Sequence, residues 1–387
     1  MLQGYRVYDA DAHVVVSQRC WEDLPAEYRR RRPRPVEIGD ADGLGGYRIS
    51  WYVEGRVVPH TFGPGSQPGN TPRGSLDPET FPGFARVTDP RVTAMPFAGQ
   101  DLSDPAPRLA ALDQMGIDVS VAFPSTIYAT FTDDPGFEAA LYRAYNRYVG
   151  RACQASPRRL RWGGLLPLRQ PTEACRAIAE MKELGACSAV VFGTAGDRLL
   201  SDSAFDPVYD ELTRAGLPLA IHFGASFAPL WSLCRTMYAG NIVGMSTPVL
   251  FAFFAVTAGG LLDRFPTLKV AFLEYGAEWV LYAVPRMDNY LKQARTNGLP
   301  YATDIPEQAI RDYARSGNIF VACESEDELI QEEMKLLGEG QILFASDIPH
   351  GELRENAAQE LLDRADLTDT QKRKILWDNA VRLYGEP

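Results

Sequence analysis

From Pro105 to the end of the chain, short runs that are apolar on both faces alternate with longer amphipathic stretches. No other feature constrains the fold as tightly. A strand buried on both faces needs helices on either side of its sheet, so the alternation predicts a parallel sheet covered by helices. Helices are expected over 105–115, 135–154, 171–184, 204–215, 248–263, 278–294, 326–337, 354–364 and 369–384. Strands are expected at 118–123, 160–166, 187–192, 217–223, 268–273, 318–323 and 341–346, and the chain opens on another at 5–11. Eight strands with helices between them predict an α/β fold, a closed (β/α)8 TIM-like barrel. A doubly wound sheet is the alternative, but no GxGxxG follows any strand.

The stretch 17–104 breaks this rhythm. It is crowded with Pro and Gly and holds one hairpin-like piece at 47–58. So long an irregular stretch fits a compact domain only as a functional loop or an insertion. The chain is therefore read as one barrel domain, 1–387, with 17–104 inserted as a lid or arm. Trp51, Tyr52, Phe62, Phe81 and Phe84, with Arg56, Arg73 and Arg86, would suit a lid over a small carboxylic acid. The same stretch would equally serve as a dimer arm.

Net charge is −11, from 39 Lys and Arg against 50 Asp and Glu. No large basic face is present, which argues against a nucleic-acid partner. The one basic run, Arg29–Arg32, sits among prolines and reads as a solvated turn or helix end. The six cysteines form no CxxC pair, against a zinc ribbon or a redox dithiol. Within the least polar stretch, 236–262, the strongest apolar run is 249–256, far short of the ~20 residues of a membrane span. A cytoplasmic protein without a membrane partner is expected, in a reducing compartment.

Barrel active sites lie at the carboxyl ends of the strands. The ionisable residues at those ends are Asp11 and His13 on strand one, His222 on five, Glu274 on six, Glu324 on seven and Asp347 on eight, with His350 just beyond. The chain has four histidines, and three of them fall here; His60, in the insertion, is the fourth. Carboxylates crowded at one mouth raise each other's pKa unless a cation neutralises them. Imidazole mixed with carboxylate suits Zn, Fe or Mn. Asp11 and His13 are two apart and face the same side, with Asp9 two residues deeper and placed to hydrogen-bond a ligand from behind.

Three pieces, Asp9–His13, Ile221–Gly224 and Ala345–His350, resemble the amidohydrolase superfamily. More narrowly they resemble amidohydrolase family 2, the group of aminocarboxymuconate-semialdehyde decarboxylase. Leu273–Trp279, Pro285–Asp288 and Lys374–Gly385 are similar to that family too, so the likeness spans nearly the whole chain. It implies a divalent metal held by His13, His222 and Asp347, with Asp347 also the acid/base. The first His of the family's His-x-His pair is Asp11 here, and the strand-six His of the decarboxylases is Glu274. Strand four, Ala189–Phe192, has no Lys, so the carbamylated-lysine dinuclear site is not available.

The resemblance implies a hydrolase or non-oxidative decarboxylase acting on a small organic substrate, aromatic or carboxylic. Zinc is the expected metal and Fe or Mn the alternative, with Glu274 and His350 as further acid/base groups. Two histidines with carboxylates also resemble a non-haem iron site, and Glu274, Glu324 and His350 could hold a second metal. That reading is an iron or manganese oxygenase. A third is a non-catalytic partner subunit in a hetero-oligomer with an active homologue. The family itself implies a homo-oligomer, a dimer.

Overall fold

The computed structural model describes residues 1–38, 48–58, 95–125, 127, 130–297, 306, 308–350 and 356–387. Eight parallel strands hydrogen-bond in strict sequence order: β1 (Tyr8–Val14), β2 (Val119–Pro124), β3 (Leu160–Leu165), β4 (Ser188–Val191), β5 (Leu219–His222), β6 (Val270–Leu273), β7 (Ile319–Cys323) and β8 (Ile342–Phe344). The ring closes just past β8. There the Asp347 N–H donates to the Asp11 carbonyl (3.1 Å) and the His13 N–H to the Ile348 carbonyl (2.7 Å). This is the TIM-like (β/α)8 barrel that the alternation predicts.

Helices α1 (Pro105–Met115), α2 (Pro135–Cys153), α3 (Pro171–Glu183), α4 (Asp206–Ala215), α5 (Pro248–Val256), α6 (Trp279–Asn297), α7 (Ile330–Leu337), α8 (Ala357–Asp363) and α9 (Asn379–Tyr384) surround it. Two of the starts are set by Asp-Pro. Asp104 caps the Ala106 N–H, and Asp134 caps those of Gly136 and Phe137, with proline at the first helical position in both. Proline has no N–H to leave orphaned there, and the carboxylate satisfies the donors that follow.

Two helices differ from expectation. The one expected over 248–263 stops at Val256, where Thr257 Oγ1 bonds back to the Phe253 carbonyl (2.7 Å) and Gly259–Gly260 follow. The one expected from Glu326 starts at Ile330, because Asp327 turns inward and accepts the Glu324 N–H (3.0 Å). The stretch Gly240–Arg264 is long and apolar enough, by length and composition alone, to cross a membrane. Here Ala252, Phe253, Ala255 and Val256 are fully buried, which is how a core helix meets the same test.

Strands β1, β2 and β7 are buried end to end, and on β3 Arg161 alone is half-buried. On β3, a side chain at Gly163 would collide with Phe123, whose ring lies 5.7 Å from that of His222. The missing Cβ leaves room for an aromatic floor beneath the strand-five histidine.

Between β1 and α1 lies a three-stranded antiparallel sheet, Arg34–Ile38, Arg48–Val53 and Arg56–Val58. Its hairpin turns at Glu54–Gly55, both with positive φ (49° and 83°), the geometry of a tight hairpin turn. Arg31 ties this sheet to the barrel, bonding Glu54 and Asp134, and Arg56 pairs with Asp133 (3.1 Å). The Arg29–Arg31 run is a 3-10 turn whose third arginine is committed to these ion pairs.

Candidate metal centre at the barrel mouth

Asp11 and His13, both fully buried, leave β1 on the same side, across a register shift in the β1–β2 pairing between Asp9 and Ala12. His222 ends β5. Glu274 and Asp347 follow β6 and β8, each with φ of 60°. A left-handed conformation is unfavourable for a side chain with a Cβ, and two such residues at one mouth mark a site where geometry outranks local stability.

These strand ends converge. His13 Nε2 lies 2.8 Å from Asp347 Oδ1, 3.7 Å from Glu274 Oε2 and 3.8 Å from Asp11 Oδ1. His222 Nε2 lies 3.4 Å from both Asp11 Oδ1 and Glu274 Oε2. His350 Nδ1 lies 2.8 Å from Asp347 Oδ1, and the His350 ring stacks on His13 at 3.7 Å. Two groups of donor atoms result, each within 4.8 Å of one another: His13, Glu274, Asp347 and His350, and Asp11, His13 and His222. Glu324 is exposed on the wall of the adjoining cavity and outside both groups.

The donor atoms approach without hydrogen-bond alignment. Asp11 Oδ1, His13 Nε2, His222 Nε2 and Asp347 Oδ1 are all buried with no hydrogen-bond partner among the described residues. Buried polar atoms are rarely left in that state, and four of them aimed at one space fit a cation. His222 Nδ1 sits 3.1 Å from the Phe223 carbonyl. That contact places the proton on Nδ1 and leaves the Nε2 lone pair facing the mouth.

Burial, then the neighbouring His350, pushes His13 down to about 4, so its ring is neutral and able to donate a lone pair. Burial alone would raise the Asp347 carboxyl, but His350 and His13 on either side of it hold it below the usual carboxylate range. His13 is thus neutral and Asp347 ionised, the protonation states a divalent metal requires of its ligands.

Asp9 does not reach a ligand side chain. It accepts from the Ser346 N–H (2.9 Å) and hydroxyl (2.7 Å), the Ser120 hydroxyl (3.2 Å) and the Asp11 N–H (3.3 Å). It clamps β1 to β2 and to the end of β8, and burial raises it to about 7. Three supporting residues escape a sequence reading. Arg108, fully buried on α1, donates to the carbonyls of His13 (2.7 Å), Gln100 and Gly99. Its signal in the sequence is only an arginine on an otherwise apolar helix face. The Tyr275 hydroxyl donates to the His222 carbonyl (2.9 Å) and the Tyr384 hydroxyl to that of Ala10 (3.1 Å).

Arg286 and Asp288 do not pair with each other. Arg286 bonds the Tyr290 hydroxyl and Asp288 binds Arg311. Of the aromatic residues in the insertion, Trp51 is buried against Trp21 and Tyr52 is exposed. His60, Phe62, Arg73, Phe81, Phe84 and Arg86 lie outside the described residues.

A (β/α)8 barrel whose mouth gathers imidazoles and carboxylates around a common space defines the class of metal-dependent barrel enzymes. The chain belongs to amidohydrolase family 2, whose sequence profile matches residues 8–385, and is a metal-dependent enzyme of that superfamily. It is 24% identical over 293 residues to the 2-amino-3-carboxymuconate-6-semialdehyde decarboxylase of Dictyostelium discoideum, covering 73% of this chain and 77% of that protein. An amidohydrolase from Mycobacterium avium subsp. paratuberculosis shares the fold with a TM-score of 0.77 and 23% identity, over 99% of this chain and 98% of that one. The 5-carboxyvanillate decarboxylase of Novosphingobium aromaticivorans, complexed with manganese and a nitrobenzoic acid, does so with a TM-score of 0.68 and 20% identity, over 99% and 97%.

Proposed function

We propose that the protein is a divalent-metal-dependent, non-oxidative decarboxylase of a small organic acid, aromatic or enoic, with hydrolysis of a small acyl substrate as the variant the same groups would support. The observation that carries this reading is the convergence of unpartnered His13, His222, Asp11 and Asp347 atoms on one space. The cavity beside it, about 290 Å³, suits a substrate of roughly one ring. Its described lining includes Asp11, Glu274, Glu324 and Asp347 but no Lys or Arg. Among the described lining residues, none would offset the charge of a substrate carboxylate there, and a bound cation would. The similar proteins named for decarboxylation of carboxylic acids support the same choice.

His13, His222, Asp11 and Asp347 would hold the metal, which supplies Lewis-acid polarisation of the substrate carboxylate and its neighbouring oxygen. Decarboxylation replaces a carboxyl group by a proton, so a proton must reach the carbon as carbon dioxide leaves. Solvent would supply that proton through His350, whose Nδ1 is 2.8 Å from Asp347 Oδ1, and the ionised Asp347 would take it and deliver it to the carbon. Glu274, whose Oε1 is 3.8 Å from His350 Nδ1, is a second carrier. The insertion 17–104 would serve the single barrel unit as a lid or as a dimer arm.

The donor set also supports a second reading. Asp11 and Glu274 make the site rich in oxygen donors, which favours Mn or Fe over zinc, and the two donor groups share His13. An iron or manganese oxygenase would use such a set.

Metal analysis of protein made without added metal, wild type and Asp11→Ala, separates these, together with carbon dioxide release from hydroxybenzoic and enoic acids. About one metal per chain, reduced in the variant, with release of carbon dioxide independent of oxygen, is expected. Oxygen consumption with about two irons per chain would replace this reading with the oxygenase. Failure to bind Mn, Zn or Fe on reconstitution would overturn both and leave the partner-subunit role.

A further inference from the structure

A second cluster lies beside the mouth, on the loops that follow β6 and β7 and on the first turn of α7. Glu278, Asp327 and Glu333 each direct a carboxylate oxygen into a space where all three lie within 4.8 Å of one another. Glu333 is fully buried, and neither of its oxygens has a hydrogen-bond partner among the described residues. Asp327 is also buried and uses Oδ2 on the Glu324 N–H. Gly276 has a φ of 65°, and a Cβ there would sit 2.9 Å from Glu278 Oε2. The bare backbone is what allows Glu278 to fold back over the pair. Arg364, whose charge reaches Glu333, spends its donors on the Ser325 and Asp327 carbonyls and on Asp366.

A fully buried carboxylate with no donor is among the least favourable arrangements in a protein interior. Two buried carboxylates, with the exposed Glu278 over them, need either shared protons or a cation. We propose that Glu278, Asp327 and Glu333 form a second cation site, separate from the mouth, that takes a hard divalent ion of the calcium or manganese kind. All three donors are carboxylate oxygens, with no imidazole or thiolate among them, which is the preference of such ions. Water and nearby backbone carbonyls would complete a shell that three side chains leave open. The site would join the β6 loop carrying Glu274 to the β7 loop carrying Glu324, and so fix one side of the mouth. Burial and the charge of Glu278 raise Asp327 to about 8 and Glu333 to about 7, which is the condition of such a cluster without its ion.

Terbium luminescence on the full chain tests this. Trp279 follows Glu278 directly and its Nε1 donates to the Gly276 carbonyl (3.1 Å), so excitation of tryptophan should sensitise a terbium ion in the cluster. The expected result is saturable emission, displaced by calcium, with affinity reduced at least about tenfold by Glu333→Gln and unchanged by Asp347→Asn. Emission that falls with Asp347→Asn but not with Glu333→Gln would place the ion at the mouth and overturn the proposal. So would the absence of saturable emission, together with no calcium-dependent rise in Tm of the wild type, which means the carboxylates share protons instead. Should Glu333→Gln not fold, Asp327→Asn carries the same expectation.

Discussion

Two clusters of ionisable groups stand side by side at one end of this barrel, and they resolve the same repulsion differently. At the mouth, imidazoles are interleaved with carboxylates, and the rings of His13 and His350 keep Asp347 ionised although it is buried. In the cluster of Glu278, Asp327 and Glu333 there is no imidazole, and burial drives Asp327 and Glu333 toward their protonated forms. The contrast teaches that burial alone does not set the state of a carboxylate. The neighbour does, and at the mouth the neighbour is one that a metal can replace.

The largest test of the contrast is Asp347→Asn. It should lower kcat by about 10³-fold, since it removes the proton carrier, while leaving the all-carboxylate cluster intact. Steady-state rates of carbon dioxide release would measure it, and a loss below about tenfold would remove Asp347 from the chemistry. The double change Asp11→His with Glu274→His makes the mouth more nitrogen-rich. In competition for limiting metal it should raise the ratio of zinc to manganese bound by about tenfold.

The all-carboxylate cluster predicts a pH effect of definite sign. In the unfolded chain Asp327 and Glu333 titrate near 4, whereas in the folded, metal-free protein they titrate near 8 and 7. Between about pH 4 and pH 8 the native state therefore holds more protons, and its stability falls as pH rises through that window. The Tm of chelated protein should drop by roughly 5 °C across it, Glu333→Gln should flatten the slope, and saturating calcium should abolish it. The smallest effect concerns strain. Glu274→Gly relieves a left-handed residue and should raise Tm by about 2 °C while lowering activity, read by calorimetry and by the same rate assay.

The positions of Asp11, His13, His222, Glu274 and Asp347 were legible because two rules suffice for them. Alternating apolar runs locate the strands, and barrels put chemistry at strand ends. Arg108 follows neither rule. It comes from a helix on the outside of the ring and reaches back to the His13 carbonyl, a contact made only when the whole layer closes. Asp327 and Glu333 follow neither rule either. Asp327 turns inward because the helix begins later than expected and the turn before it folds under, and Glu333 sits on the buried face of that helix. The hairpin at 47–58 was legible from its turn residues, but the packing of Trp51 on Trp21 was not, since it joins segments with no shared periodicity.

The bonds that close the barrel are made by the candidate ligands themselves: Asp347 donates to Asp11, and His13 to the residue after Asp347. Behind them, Asp9 grips Ser346 across 337 positions of sequence. His13 can meet Asp11, Arg108 and His222 while β8 is still undocked, but Asp347 joins them only when the ring closes. Ring closure and completion of the metal's donor set are therefore one event, and a change that loosens β8 should cost metal affinity together with stability.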